Sequence, residues 1–231
     1  RQVFRSYLPS ARNCGLFLMV KVTIAALIIL LLTSHVNADA LQDCTSTNLS
    51  PMAVREACTK VINANPSAAV AYLKRADAEQ IITHENYRNL LADYNTALML
   101  DRRLARAYLG RVRVLRARTD FKVLLPAGTS ELAENAAIAA EMLTDINRVV
   151  ELEPDNVEGR IQRGNLLFGL GSFKAAQADY DTVVKLRPTW STAHDLRGSA
   201  LLHTGDYVNA IKDFSVSLDL IKKPADKNYR Q

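Results

Sequence analysis

The sequence copies itself at a fixed interval. Arg163, Gly164, Leu167, Gly171 and Phe173 are followed thirty-four residues later by Arg197, Gly198, Leu201, Gly205 and Tyr207. The same step carries Ala176 to Ala210, Asp179-Tyr180 to Asp213-Phe214, Val184 to Leu218 and Leu186 to Leu220, and it carries Leu152-Glu153-Pro154 to Leu186-Arg187-Pro188. A period of roughly 20–50 residues means a supersecondary unit too small to bury its own apolar face, which therefore stacks on its neighbours.

The unit reads as a helical hairpin. Gly164 with Ala176, and Gly198 with Ala210, are small residues that let two antiparallel helices approach closely. Gly171 and Gly205 punctuate the turn, because glycine readily takes positive φ. Pro154 and Pro188 stop the second helix of each unit. Nine glycines and seven prolines in 231 residues leave room for long helices, and 48% hydrophobic content excludes wholesale disorder.

These glycine, alanine, aromatic and proline columns resemble those of the tetratricopeptide-repeat family, over 157–190 and 191–224. The family's usual large residue in the first turn is Arg160 and His194 here, so the packing that the resemblance implies does not carry over at those two points. Two looser units precede. Residues 69–104 carry Tyr72, Ala76, Tyr94 and Ala97 in the family columns, with a longer turn near Thr83–Tyr87. Residues 105–156 open with Tyr108 and Val112 and close with Met142, Ile146, Val149 and Pro154, around an insertion near 119–136. Upstream, Pro51–Asn65 reads as a lone second helix, so 41–68 is expected to form an N-terminal cap. The resemblance implies an all-α, right-handed helical-hairpin solenoid of about four repeats plus an N-terminal half-repeat, with residues 225–231 as a tail.

One pair recurs in every unit. Arg75, Arg111, Arg163 and Arg197 sit at matching places in the first helices, and Asp93, Asp145, Asp179 and Asp213 in the second. Repetition with each unit predicts a structural ladder of Arg–Asp contacts within or between units. Partly exposed pairs of this kind contribute only about 0–1 kcal/mol each.

Residues 1–40 read as a signal peptide with upstream residues. Val22–Leu32 is an uncharged apolar run behind Lys21, and Ala38-Asp39-Ala40 suits cleavage after Ala40, with Met19 as a candidate start. The other reading is an uncleaved anchor, although a bilayer needs about twenty apolar residues in a row. Export makes the expected location periplasmic or secreted. In an oxidising compartment, Cys44 and Cys58 are expected to form a disulfide that pins the cap, stabilising by about 3 kcal/mol in the chain-entropy model. Two buried free thiols are the alternative.

The formal charge of +5 shrinks to +2 once the first forty residues are set aside, too little to suggest a nucleic-acid partner. No P-loop, glycine-rich dinucleotide motif, nucleophile elbow or metal-ligand spacing is present. No catalytic residue, metal or cofactor is expected. Stacked hairpins instead leave a groove lined by first helices, which suits a peptide or partner helix. Its candidate contacts are Arg106, Leu109, Arg113, Arg116, Ile161, Asn165, Phe168 and Leu202. Arg102–Arg118 holds seven arginines in seventeen residues. Arginine grips carboxylates bidentately, so a protein or peptide partner with an acidic segment is one expectation, and self-pairing of these arginines the other. The family's carboxylate clamp for chaperone tails is not reproduced: the matching positions hold Leu73, Asp77, Gly110, Glu158 and Gln162. An interaction scaffold is the expected function, and an accessory subunit positioning an enzyme its alternative.

Overall fold

The computed structural model describes residues 38–82, 86–118 and 130–222, with the backbone alone for Arg118 and residues 130–135. Among these residues every regular element is an α-helix: α1 (residues 38–45), α2 (Pro51–Ala64), α3 (Ala69–Ile82), α4 (Tyr87–Leu100), α5 (Ala105–Arg118), α6 (Ser130–Leu152), α7 (Val157–Gly169), α8 (Phe173–Leu186), α9 (Ser191–Thr204) and α10 (Tyr207–Lys222).

Local chemistry sets these boundaries. Ser50 caps α2 by accepting a hydrogen bond from the Ala53 amide at 3.3 Å, with Pro51 in the first turn where its missing N–H costs nothing. The Asn156 side chain does the same for α7 from Gly159 at 2.8 Å, and Asp206 for α10 from Asn209 at 3.2 Å. Gly205 ends α9 at φ 85°, a conformation that a side chain would strain.

Four hairpins follow one another, α3–α4, α5–α6, α7–α8 and α9–α10, and each second helix also packs on the first helix of the next hairpin. The core runs along the stack as linked clusters, among them Leu73, Ala76, Leu90, Tyr94 and Ala107 early, and Ala176, Tyr180 and Ala200 late. The close approach requires a bare backbone at Gly164, where a Cβ would lie 2.5 Å from the Tyr180 ring. Gly110 plays a different part, since its missing side chain admits the ring of Tyr94 from the preceding hairpin.

The half-unit is tied down covalently. Cys44 on α1 and Cys58 on α2 form a disulfide, and both are fully buried. Cys58 is the eighth residue of its helix, as Tyr94 is of α4 and Tyr180 of α8. A sulfur bridge therefore fills the core place that an aromatic ring takes elsewhere.

The insertion is partly helical. Helix α6 has 23 residues where α4 and α8 have 14, so it begins well before the repeat requires. The remainder, 119–129, lies outside the described residues, as do residues 1–37, 83–85 and 223–231.

Candidate functional site

Each hairpin is clamped across its two helices by one arginine and one aspartate. Arg75 donates Nε and Nη2 to the two oxygens of Asp93 at 2.7 and 2.7 Å, Arg163 to Asp179 at 2.7 and 2.6 Å, and Arg197 to Asp213 at 2.7 and 2.7 Å. Arg111 makes the same fork with Asp145. Hydrogen bonding to the carboxylate raises the pKa of all four arginines. The acids are more buried than partly exposed surface pairs, with the side chains of Asp145 and Asp179 each 2% exposed. Their loss therefore costs more than a surface bridge.

The third nitrogen of the fork links one hairpin to the hairpin before it. Nη1 of Arg111 donates to Asn95, that of Arg163 to Asn147 and that of Arg197 to Asp181, at 2.7, 3.1 and 3.2 Å. Each acceptor stands two residues beyond the aspartate of the earlier unit. This column of amides and acids is visible in the sequence at the repeat interval, but only the fork geometry gives it meaning.

Arg160 and His194 take polar partners where the family has its large residue. Arg160 donates Nε to the Pro154 carbonyl at 2.9 Å and Nη1 to Asp179 at 3.0 Å. The His194 ring sits 2.9 Å from the Pro188 carbonyl and 3.1 Å from Asp213, buried at 7% exposure. Polar bridges from the preceding helix end to the ladder acid thus replace the large apolar residue. Burial alone would raise the pKa of Asp213, yet the hydrogen bonds from Arg197 and His194 hold its carboxyl below the ordinary range.

The other face is built by the first helices. Arg106 on α5 donates Nε to Asp77 on α3 at 2.6 Å and stays well exposed, at 62% of its side chain. The Tyr94 hydroxyl reaches the same carboxylate at 3.0 Å, and burial followed by that acid pushes the phenol pKa far up, so it remains a donor. Arg113 contacts Gln80 at 3.3 Å and Glu158 at 3.4 Å, and its Nε is buried without a hydrogen bond. Arg116 donates to Gln162 on α7. The three arginines thus form a row, each contacting an acid or an amide of a neighbouring first helix.

The remaining candidates divide. Leu109 is 4% exposed, packed with Ala105 and Val149, so it cannot touch a partner: the face assigned to it belongs to the core. Ile161 is half-buried against Val183, Val184 and Ala193. Asn165 accepts a hydrogen bond from the Tyr180 hydroxyl at 2.8 Å. Phe168 packs edge-on to Phe173 and His203, which stack on each other with centroids 4.4 Å apart. Leu202 is exposed at 47%. Asp77 and Glu158, two of the positions that do not fit the chaperone-tail clamp, join the site as partners of these arginines, and so does the Tyr94 hydroxyl, which no sequence pattern singled out.

Comparison with known proteins fits this geometry. Residues 157–189 match the family described as Tetratricopeptide repeat. The human protein named Tetratricopeptide repeat protein 13 is 35% identical over 89 residues, which is 38% of this chain and only 10% of that protein. Among solved structures, one of MamA protein aligns with a TM-score of 0.62 at 16% identity, covering 86% of this chain and 98% of that one. A thermophilic TPR protein of Thermus thermophilus aligns with a TM-score of 0.53 at 16% identity, covering 76% and 86%. At these identities the structures speak to the fold alone.

Proposed function

We propose that this chain, a tetratricopeptide-repeat protein, is an interaction scaffold outside the cytoplasm that holds an acidic segment of another protein against its first-helix face. The observation that carries this reading is the row of Arg106, Arg113 and Arg116 along α5. The Arg106 side chain is 62% exposed, and the Nε of Arg113 meets Glu158 as an ion pair at 3.4 Å without hydrogen-bond geometry. A partner carboxylate could take the place of Asp77 or Glu158 in a bidentate contact, because arginine offers a planar fork that matches a carboxylate. The apolar neighbours Ile161 and Leu202 supply contact area on the following units.

The location rests on the Cys44–Cys58 bridge, since such bonds persist mainly in oxidising compartments, and on the apolar segment Val22–Leu32 ahead of Ala40. The non-catalytic part rests on the fold class, whose stacked hairpins offer a binding surface, and on the polar groups of the first-helix face being engaged with one another.

Capture from native extract tests the reading. The chain and its Arg106→Glu/Arg113→Glu variant are used as bait, with bound proteins identified by mass spectrometry. A partner with an acidic stretch, held by the parent chain and lost from the variant, supports the proposal. Equal capture by both removes α5 from the binding account.

A further inference from the structure

Helix α10 presents two apolar stripes, and the fold uses one of them. Ala210, Asp213 and Ser217 face the core. Beside them lie Tyr207, Val208, Ile211, Leu218 and Ile221, exposed at 61, 66, 65, 55 and 63%. A surface helix needs a single stripe, so the second is a surface awaiting a partner.

The repeat shows what has changed there. The same stripe on α8 receives α9, and Val184 is 8% exposed beneath Ala193. Thirty-four residues on, Lys174 is answered by Val208, Gln177 by Ile211, and Arg187 by Ile221. Asp181, which accepts from the arginine of the following unit, is answered by Ser215, whose hydroxyl turns onto its own helix at the Ile211 carbonyl, 2.8 Å away. The face has lost the acceptor for an arginine-bearing first helix and gained an uninterrupted apolar surface.

We infer that this stripe is a self-association surface, on which α10 of a second copy lies antiparallel about a twofold axis near Ser215. Tyr207, Ile211, Leu218 and Ile221, with the half-buried Phe214 whose ring lies on Gly198 between them, advance by four, three, four and three, the spacing of a helix–helix seam. Placing the axis there sets Ile211 opposite Leu218 of the second copy. The two helices then run antiparallel, so their dipoles oppose favourably. An isologous contact needs a face that complements itself, and an uncharged apolar stripe does so. Five side chains with about 100–150 Å² exposed on each copy bury on the order of 1,200 Å² in total, at the lower edge of specific interfaces. The association is therefore expected in the micromolar range.

Sedimentation equilibrium of the full chain, over about 1–100 μM, tests this. The parent chain is expected to pass from monomer to dimer, and Ile211→Glu and Leu218→Glu to weaken the dimer at least tenfold while keeping the parent's circular dichroism. Both positions are exposed, so neither change disturbs the core. In a Cys14→Ser background, Ser215→Cys is expected to give a reductant-sensitive covalent dimer, and Asn209→Cys, on another side of the helix, is not. A parent chain that stays monomeric, a dimer unaffected by both glutamates, or equal crosslinking from Asn209→Cys would each overturn the inference.

Discussion

Asp179, on the second helix of its hairpin, receives both forks of Arg163 from the first helix, at 2.7 and 2.6 Å, with 2% of its side chain exposed. Removing one partner from such a pair leaves a buried charge unpaired, at a cost of about 3–5 kcal/mol. Arg111→Ala, whose Asp145 is as buried and has, among the described residues, no second arginine such as Asp179 has in Arg160, is expected to lose stability on that scale in urea unfolding. Arg75→Ala is expected to lose less, about 1–3 kcal/mol, because 15% of the Asp93 side chain stays open to water. Equal losses at the two sites would mean that burial of the acid does not set the cost.

Ser217 points to a gain. Its hydroxyl is buried with no hydrogen-bond partner among the described residues, and Val183 stands at the same place one unit earlier, fully buried. Ser217→Val should stabilise the chain by about 1–2 kcal/mol, since it removes an unpaired polar group and adds apolar contact. A higher melting temperature is the readout, and a lower one would mean that the pocket beneath α10 cannot hold two methyl groups.

The acid range isolates the last rung. Asp213 titrates below its ordinary value of 3.8 in the folded chain, held there against burial by Arg197 and His194. A native pKa below the unfolded one gives stability that is complete above the unfolded value. It drains away as pH falls through the lower native value. Urea midpoints are therefore expected to drop on going from about pH 5 to pH 3. Arg197→Met should start lower at neutral pH and fall less steeply, because its Asp213 has lost the main donor.

Cys44 and Cys58 are expected to stay unreactive toward a thiol reagent in denaturant until reductant is added. Reduction should then lower the stability of the α1–α2 cap by about 3 kcal/mol, the loop-closure value for a separation near fifteen residues. Immediate labelling of both thiols in chain isolated under non-reducing conditions would contradict the bridge and remove the main support for an oxidising location.

The repeat made most of the fold legible. Gly164 and Gly198, Ala176 and Ala210, and Pro154 and Pro188 mark helix contacts and helix ends that recur wherever the same backbone recurs, so a fixed interval reports them directly. The bidentate partners of the ladder sit in those same columns. Leu109 was misplaced for a physical reason: α5 lies against α6 as well as facing outward, and a leucine on the boundary follows the larger apolar contact, here Val149. The contacts of Arg160 and His194 were not legible because the sequence shows only that the family's large residue is missing. It does not show the carbonyl of Pro154 or Pro188 at hydrogen-bond distance. The partners of Asp77 were hidden because Arg106 and the Tyr94 hydroxyl are 29 and 17 residues away on other helices.

The most direct test of the scaffold reading is the affinity of a fluorescent acidic peptide for the chain, followed by anisotropy at about 0.15 M salt, where distant charges are screened. Saturable binding that weakens at least tenfold in Arg106→Glu/Arg113→Glu, and is unchanged in Lys185→Glu on the exposed side of α8, is the predicted result. Binding that falls equally in both variants, or an affinity indifferent to the arginines of α5, would contradict the assignment of the first-helix face.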